Sequence, residues 1–499
     1  MAKPKMNGFA TLAELETRRA REGSFLLGSI HPDHGAAFPA GIRDDRHLFM
    51  IAGSRAGKGV TMIIPNLIHW PGGVLCIDPK GENASITAMR RGKRPETATG
   101  TEVRPGNFLG QNVAILDPFG TVRGPARLYR TRYDPLGDVE VGTDEEAAQI
   151  LALAESIVLN ETGSGAHFSE SAQSILAGLM EAVLHREEPQ HRTLAVCREK
   201  TIGGSGALLD YLDGAPTTDA DLAAEAATLL GSVGEEEGGS FISTLSRQLK
   251  WLADPRMQRH LEDSRFSLVR ALREGWSVYI CIPPSKIPSM KRWMRAIVRV
   301  ALDAKMATAF EHRGPQTLFL LDEFYALGHI QLIEDATAYM AGYGIKLLPV
   351  IQNIGQVKKL YDKNWETFLG NAGAIIAWGL NDLETEKYVS DRMGPILEWE
   401  RTYSDSRSRQ PDGYETTGIS HSANLSLREQ AIRWPSDIHA EGARQTMRAF
   451  VISADGAPFT VRRVPYTDWQ GQGVFDSPQG IRAWEACLTE DQKSDLSLL

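Results

Sequence analysis

A stretch of small residues near the N-terminus has the composition of a loop that surrounds phosphate groups. An apolar run, residues 48–51, comes before it, and a second apolar run that can begin a helix follows it. Small residues let successive backbone N–H groups point at an anion, and the helix N-terminus adds a favourable dipole. We therefore predict a P-loop that binds a nucleotide, with Lys58 next to the β- and γ-phosphates. The predicted nucleotide-binding residues are Gly53, Ser54, Arg55, Ala56, Gly57, Lys58, Gly59 and Val60.

The loop departs from the usual P-loop pattern at two positions. Ala52 stands where the first glycine is expected, and Gly59 stands where a serine or threonine would contact Mg²⁺. Taken by itself, the stretch could also be a glycine-rich turn without a function. A second set of residues is needed to decide between these two interpretations.

Two adjacent carboxylates, Asp322 and Glu323, follow a strand-like run far downstream of the loop. This run, residues 317–321, is almost continuously apolar, which is typical of a strand covered on both faces. In P-loop ATPases the acid at this position holds Mg²⁺, here through water, and a neighbouring glutamate polarises the attacking water. Both acids could instead cap the next helix, but their combination with Lys58 favours an ATPase. We therefore predict ATP and Mg²⁺ as cofactors.

The elements around these residues alternate between strand and helix, which predicts an α/β fold with a parallel sheet. In such sheets the active site lies at the carboxyl ends of the strands, where Asp78, Asp322 and Glu323 fall. Helical periodicity dominates the middle of the chain, so we predict an all-α domain inserted into the α/β domain. The predicted strands lie near residues 48–51, 73–78, 113–117, 278–282, 318–321, 346–351, 374–378 and 447–452.

These patterns divide the chain into five predicted segments. Within the fourth, residues 403–422 are rich in Ser, Gly, Asp and Arg without periodicity, and we expect an irregular loop there. The segments are an N-terminal part (1–27), the nucleotide-binding domain in two parts (28–143 and 264–468), the inserted all-α domain (144–263) and a C-terminal tail (469–499).

Composition is that of a large globular protein. The chain has 499 residues, 42% of them hydrophobic and 23% charged. Its net charge is −9, so binding of nucleic acid would require a local basic surface. Four scattered cysteines without CxxC spacing indicate a reducing compartment. No apolar run approaches the ~20 residues that cross a bilayer, and we expect a cytoplasmic protein.

A series of short motifs resembles the type IV secretion coupling proteins of the TraG/TraD kind, relatives of the FtsK and HerA DNA pumps. The resemblance covers roughly residues 28–466, and the motifs occur in the same order along the chain. They are GKGV (57–60), IPNL (64–67), WPG (70–72), DPKGEN (78–83), YDPL (133–136), LDEF (321–324) and the run that ends in IQN (351–353).

The resemblance implies a RecA-like P-loop domain with an inserted all-α domain, assembled as a hexamer around a DNA channel. It implies partners: single-stranded DNA bound without sequence preference, relaxase or effector proteins, and inner-membrane components of the secretion system. The protein would then be recruited to the cytoplasmic face of the inner membrane. By the same resemblance, Asp322 organises Mg²⁺, Glu323 activates water, and Gln352 matches a glutamine that senses the γ-phosphate.

Two departures from the family pattern leave a second function open. Relatives usually carry two transmembrane helices before the P-loop, and none is visible here; a natural member that docks on a membrane protein, or a shortened form, would explain this. Many relatives also have an arginine just before the strand at residues 346–351. Here another cation, such as Arg392 or Lys346, takes its place, or hydrolysis is slow. The alternative is a low-turnover nucleotide-binding receptor or adaptor for protein substrates.

DNA contact needs clustered cations, and three groups of basic residues are candidates. The second group fits one exposed stripe of a helix, although a merely solvated surface is the alternative for each group. The groups are Arg90, Arg91, Lys93 and Arg94; Lys291, Arg292, Arg295 and Arg299; and Arg401, Arg407 and Arg409.

Overall fold

The computed structural model describes residues 8–31, 36–93, 109–160, 165–216, 218–308, 314–336, 340–408 and 418–468. The predicted tail at 469–499 and the candidate DNA-binding residues Arg94 and Arg409 lie outside these ranges. None of the helices in the described ranges combines the length and the apolar character that a bilayer-spanning helix needs.

The described strands form one large sheet and a separate two-stranded ribbon. The strands are β1 (Phe25–Ile30), β2 (Phe38–Ile42), β3 (His47–Ala52), β4 (Val74–Asp78), β5 (Val113–Leu116), β6 (Arg130–Thr131), β7 (Ser277–Cys281), β8 (Thr317–Leu321), β9 (Ile345–Ile351), β10 (Ala372–Trp378), β11 (Pro395–Ser408), β12 (Gly418–Ala431), β13 (Arg448–Ser453) and β14 (Phe459–Arg462). The large sheet has the order β2-β1-β14-β13-β10-β3-β9-β8-β4-β7-β5-β6.

Strands β10 to β6 of this order run parallel to one another, and β13, β14, β1 and β2 extend the sheet with antiparallel pairing. Helices connect the parallel strands, as crossover connections require. The described helices are α1 (Leu12–Thr17), α2 (Ile64–His69), α3 (Glu82–Arg91), α4 (Glu146–Ile157), α5 (Ala166–Arg186), α6 (Leu194–Thr201), α7 (Gly204–Asp213), α8 (Leu222–Ser232), α9 (Glu235–Gln248), α10 (Pro255–Leu261), α11 (Leu268–Arg273), α12 (Ile287–Ala307), α13 (Phe324–Leu327), α14 (Gln331–Ala336), α15 (Ile354–Tyr361), α16 (Trp365–Gly370), α17 (Leu383–Met393) and α18 (Pro435–Glu441).

The central strand β3 contributes alternate side chains to two separate cores. Phe49 and Ile51 belong to the core that also contains the apolar residues of α4 and α5. Leu48 and Met50 belong to the core on the other face, with residues of α2 and α3. Because both faces of β3 are covered, its sequence is a continuous apolar run and not an alternating one.

The predicted α/β class is confirmed, and every predicted strand is present, as β3, β4, β5, β7, β8, β9, β10 and β13. The two-residue strand β6 was not predicted, and neither were β1, β2 and β14, which with β13 form the antiparallel side of the sheet. Helices α4 to α11 follow one another between β6 and β7, where a helical insertion was predicted. The exact domain boundaries stay a prediction.

The prediction of an irregular loop at residues 403–422 is wrong for the described part of that stretch. Strands β11 and β12 pair antiparallel from Pro395 opposite Ala431 to Ser408 opposite Gly418. An antiparallel ladder is held by main-chain hydrogen bonds, which do not depend on the side-chain pattern. The composition and missing periodicity of residues 403–422 therefore do not indicate these strands.

Arg90 and Arg91, from the first predicted DNA-binding group, are buried, so their assignment to a DNA surface is wrong. The Arg91 guanidinium is fully enclosed and donates hydrogen bonds to one hydroxyl, one amide oxygen and three main-chain carbonyls. The acceptors are Ser277 Oγ, Gln111 Oε1 and the carbonyl oxygens of Leu67, Trp70 and Gly72. Arg91 thus joins the turn after α2 to the sheet.

The predicted exposed stripe on α12 is also wrong, because its cations face other parts of the protein. Arg295 donates hydrogen bonds to the carbonyl oxygens of Ser156, Leu327 and His329. The second member, Arg299, forms ion pairs with Glu155 at 3.0 Å and with Asp303 at 2.7 Å. These contacts fix α12 against α4 and leave few free donors for phosphate.

Replacing Arg91 should destabilise the fold. We expect Arg91→Met to lower the free energy of unfolding by about 3 kcal/mol, because several buried oxygen atoms would lose their donor. Urea unfolding followed by circular dichroism measures this change. Lys93→Ala, at an exposed position two residues later, serves as the control and should leave the midpoint unchanged. Equal midpoints for both variants would contradict the structural role of Arg91.

Candidate nucleotide-binding site

The predicted P-loop begins directly after β3 and lies against the end of β10. A Cβ atom on Gly53 would be 1.9 Å from the carbonyl oxygen of Gly379, so only glycine fits there. Gly57 has a φ of +83° and Arg55 a φ of +57°, both in the left-handed region that lets a short loop reverse direction. The strand–loop–helix context predicted from sequence is therefore present.

The loop enters its helix through a π-helical turn. Residues Gly59–Ile63 form this turn before α2 begins, and such turns are frequent at functional sites. A Cβ atom on Gly59 would meet no atom within 4 Å. The nearby Thr61 hydroxyl donates to the carbonyl of Gly57 at 2.9 Å. Thr61 therefore does not replace the hydroxyl that most P-loops have at position 59.

A buried arginine and a tryptophan hold the loop from behind. The carbonyl oxygen of Ala56 accepts hydrogen bonds from Arg463 Nη1 at 2.7 Å and from Trp378 Nε1 at 3.0 Å. Arg463 is 1% exposed, and its guanidinium also bonds the carbonyls of Arg444 and Arg448. Two donors on one carbonyl fix the direction of that peptide. Sequence analysis missed both residues, since nothing in their local sequence links them to the loop.

The predicted acids meet Lys58 in front of the loop. Lys58 Nζ lies 2.8 Å from Asp322 Oδ1 and 3.5 Å from Glu323 Oε1. The amide nitrogen Nε2 of Gln352 lies 3.5 Å from Glu323 Oε2. These residues follow β3, β8 and β9, which are adjacent parallel strands. Their carboxyl ends therefore bring all four side chains to one point of the sheet edge.

Burial and charge shift the pKa values of this cluster. Burial raises the pKa of Asp322 even though Lys58 opposes the shift. Burial lowers the pKa of Lys58, but Asp322 and Glu323 outweigh it, so that the net pKa is raised. Lys58 therefore keeps its charge at neutral pH. Burial also raises the pKa of Asp78, at the end of β4, to about 7, although the hydrogen bond from the Ala84 N–H acts in the opposite direction.

Glu323 has a strained backbone. Its φ is +69°, in a region where a residue with a Cβ atom costs on the order of 1 kcal/mol. It precedes α13, whose first residue Phe324 is fully buried and stacks on Phe368 with ring centroids 5.6 Å apart. This packing holds the residue in place, with a side chain that is 33% exposed toward the cleft.

A cleft of about 690 Å³ contains these groups, a volume within the usual range of ligand sites. All of the predicted site residues except Gly53 line it, together with five charged or polar residues to which no role in the site was assigned from sequence: Asp78, Lys80, Glu82, Asn83 and Arg444. Four of the five belong to the DPKGEN motif, so the motif could have indicated them. Arg444 had no such signal.

Carboxylate oxygens beside a phosphate-binding loop suit Mg²⁺, which prefers few protein ligands and keeps water. Asp322, and Asp78 behind it, supply such oxygens at the cleft. Within the described ranges no group of three or more acidic, histidine or cysteine side chains is arranged to hold a metal by itself. The donor set therefore fits an ion that is shared with nucleotide phosphates and water.

The two cations suggested for the missing arginine do not line the cleft. Lys346 is 1% exposed, and its ammonium group donates to the carbonyls of Asp44 and Arg46, so that alternative is wrong. Arg392 lies exposed on α17. The arginine that does line the cleft, besides Arg55 of the loop itself, is Arg444.

A family model described as "Type IV secretory system Conjugative DNA transfer" matches residues 13–469. The chain belongs to this family. The conjugal transfer protein TraG of Escherichia coli is 26% identical over 382 residues, which are 70% of this chain and 55% of TraG. Protein VirD4 of Rhizobium radiobacter is 22% identical over 453 residues, 87% of this chain and 59% of VirD4. The chain thus spans little more than half the length of these family members.

Solved structures show the same fold. The plasmid coupling protein TrwB in complex with the ATP analogue ADPNP has a TM-score of 0.64 at 13% identity, over 94% of this chain and 96% of TrwB. TrwB in complex with ADP and Mg²⁺ gives 0.63 at 14% identity, over 95% and 97%. The resemblance to coupling proteins and the RecA-like P-loop fold with an all-α domain are confirmed. The roles of the individual site residues stay predictions.

The position of the loop should depend on Arg463. We expect Arg463→Lys to raise the Kd for ADP about tenfold, because Ala56 would lose a charged donor and the loop one of its supports. Binding of a fluorescent ADP analogue measures this. The matched control is Arg462→Lys, the same change at the exposed neighbouring position, and it should bind like the wild type. If both variants bind equally well, Arg463 does not position the loop.

Proposed function

We propose that this protein is an ATP-driven motor that moves DNA, with attached relaxase or effector proteins, to a type IV secretion channel. One observation carries the proposal: Lys58, Asp322, Glu323 and Gln352 converge on one cleft at the end of the P-loop. This set provides a phosphate contact, a Mg²⁺ contact, a base and a sensor. Membership of the DNA-transfer family supports the choice of DNA as the substrate.

The contacts in the cleft suggest how these residues work together. When ATP binds, Lys58 exchanges its ion pair with Asp322 for the phosphates, and Asp322 becomes free to hold the water shell of Mg²⁺. When bound, Mg²⁺ would neutralise part of the negative charge on the phosphates. Glu323 accepts the proton of the attacking water. Gln352 contacts Glu323, so a movement of the γ-phosphate at Gln352 is transmitted to the base.

We infer that the active form is a ring, in agreement with the hexamer implied by the resemblance. A nucleotide between RecA-like domains is completed by a neighbouring subunit, which often supplies an arginine. Arg444, which lines the cleft from its own chain, supplies part of that positive charge here. The ring would lie at the cytoplasmic face of the inner membrane, next to the membrane components of the secretion system.

Exchange of the proposed base should separate binding from hydrolysis. We expect Glu323→Gln to bind ATP with wild-type affinity and to hydrolyse it about 100-fold more slowly, because an amide cannot accept the proton of water. In contrast, Lys58→Ala should lower the affinity for ATP about 100-fold, because a charged hydrogen bond to phosphate is lost. Phosphate release and nucleotide binding measure the two effects.

The control for the base is Glu366→Gln, an identical exchange at an exposed position of α16. It should retain the wild-type rate. A Glu323→Gln variant that also turns over at the wild-type rate would assign the base to another residue. Normal ATP affinity in Lys58→Ala would reject the P-loop assignment.

Ring formation should make the activity depend on protein concentration. We expect the specific ATPase activity to rise with protein concentration and to rise again with single-stranded DNA, because DNA that contacts several subunits promotes assembly by mass action. Salt should weaken the DNA effect through counterion binding. Phosphate release with parallel sedimentation velocity measures this. A monomer with constant specific activity that ignores DNA would instead favour the low-turnover receptor or adaptor.

A further inference from the structure

Five arginines from two segments of the chain, residues 130–132 and 256–265, surround an open cleft of about 510 Å³ beyond the carboxyl ends of β5 and β6. We name it the arginine cleft; its arginines are Arg130, Arg132, Arg256, Arg259 and Arg265. None of them belongs to the three basic groups that the sequence suggested for DNA contact. The segments are far apart in sequence, and only the fold brings them together.

The arginine cleft is positive in a protein that is negative overall. Its lining has five guanidinium groups but only two carboxylates, Asp117 and Asp263, whereas the net charge of the chain is −9. Asp117 pairs with Arg130, Asp263 lies 3.7 Å from Arg265, and Asp254, outside the lining, pairs with Arg256 at 2.8 Å. Arg132 donates to a main-chain carbonyl at 3.5 Å, and Arg259 is exposed. At least two guanidinium groups of the cleft thus have no carboxylate partner among the described residues.

A buried histidine in the same lining has an unused polar atom. His260 is 6% exposed, and its Nε2 forms no hydrogen bond with any residue that the structure describes. Burial lowers the pKa of His260 to about 4, so the ring is neutral at pH 7. His260 therefore adds no positive charge to the cleft.

The chemistry of the lining favours phosphate over a protein surface. Protein interfaces depend on aromatic and aliphatic anchors, and Pro118 is the only apolar residue in the lining of this cleft. Guanidinium groups match the geometry of phosphate oxygens and can bind them in a bidentate way. Phe119, beside the cleft, has the Arg256 guanidinium 4.6 Å from its ring centroid, so this cation is already held in position.

The arginine cleft lies on the same edge of the sheet as the nucleotide cleft. Strand β5 is the second neighbour of β4, but the P-loop follows β3, which lies five strands from β5. At a strand spacing of about 4.8 Å, the P-loop is therefore roughly 25 Å from the carboxyl end of β5. All these strands are parallel, so their carboxyl ends share one edge. A polymer in the arginine cleft would therefore lie on the same edge of the sheet as the ATP.

We propose that the arginine cleft binds the phosphate backbone of single-stranded nucleic acid on the same edge of the sheet as the nucleotide site. This inference rests on the proposed function only in taking DNA as the substrate. Contacts to phosphates carry no base information, so binding is independent of sequence.

The test compares two charge-reversal variants of the full chain. Arg132→Glu/Arg259→Glu changes the cleft at two exposed arginines without breaking an ion pair described here. The matched control, Arg21→Glu/Lys387→Glu, makes the same change in net charge at two exposed cations on other parts of the surface. Fluorescence anisotropy with labelled oligothymidylate, over a series of salt concentrations, measures affinity. Thermal unfolding and ADP affinity, which should not change, report on folding and on the nucleotide site.

We expect the cleft variant to bind the oligonucleotide at least about tenfold more weakly than the wild type. The salt dependence of log K should become less steep by about 0.7 for each lost phosphate contact. The control should remain within about twofold of the wild type. If the cleft variant binds as tightly as the wild type, the cleft assignment alone is overturned. The same holds if the control loses as much affinity as the cleft variant. A wild type that binds no oligonucleotide overturns the DNA-motor function as well.

Discussion

Parallel pairing of β3, β9 and β8 is the constraint on which the nucleotide cleft depends. The pairing aligns Met50 with Val350 and Leu320 with Leu348, so the loop after β3 and the acids after β8 reach the same edge. Lys58 and Glu323 are 265 positions apart in sequence and still touch. A slip of one residue in β8 would turn its side chains to the opposite faces and separate the acids from the loop.

The P-loop is held from two sides by different interactions: hydrogen bonds to a main-chain carbonyl on one side and ion pairs on the other. Behind the loop, the Arg463 guanidinium donates to the Ala56 carbonyl, and its other acceptors among the described residues are also main-chain carbonyls. In front, Asp322 and Glu323 hold Lys58 through ion pairs. The proposed function would exchange only the second support, because phosphates compete with carboxylates for Lys58 and not with Arg463 for the Ala56 carbonyl.

Much of this arrangement can be read from the sequence, but not all of it. Strands buried on both faces are apolar runs, and Lys58, Asp322 and Glu323 lie in contiguous motifs, so both could be predicted. The contact of Arg463 with Ala56 joins residues 407 positions apart and has no local signal. Burial of a charged side chain likewise leaves no signal in the local sequence. Arg91 was assigned to the surface, but its hydrogen-bond acceptors come from three other segments that only the fold brings together.

The β11–β12 ribbon has a mechanical consequence. Each strand has 14 residues, so the ribbon is about 45 Å long, and neither strand pairs with another described strand. At the end next to α17, the N–H of Ile432 bonds the carbonyl of Gly394. For a ribbon of this length, a tilt of about 5° at that end corresponds to a displacement of about 4 Å at the other end. A small rotation next to α17 would therefore correspond to a much larger shift at the opposite end of the ribbon.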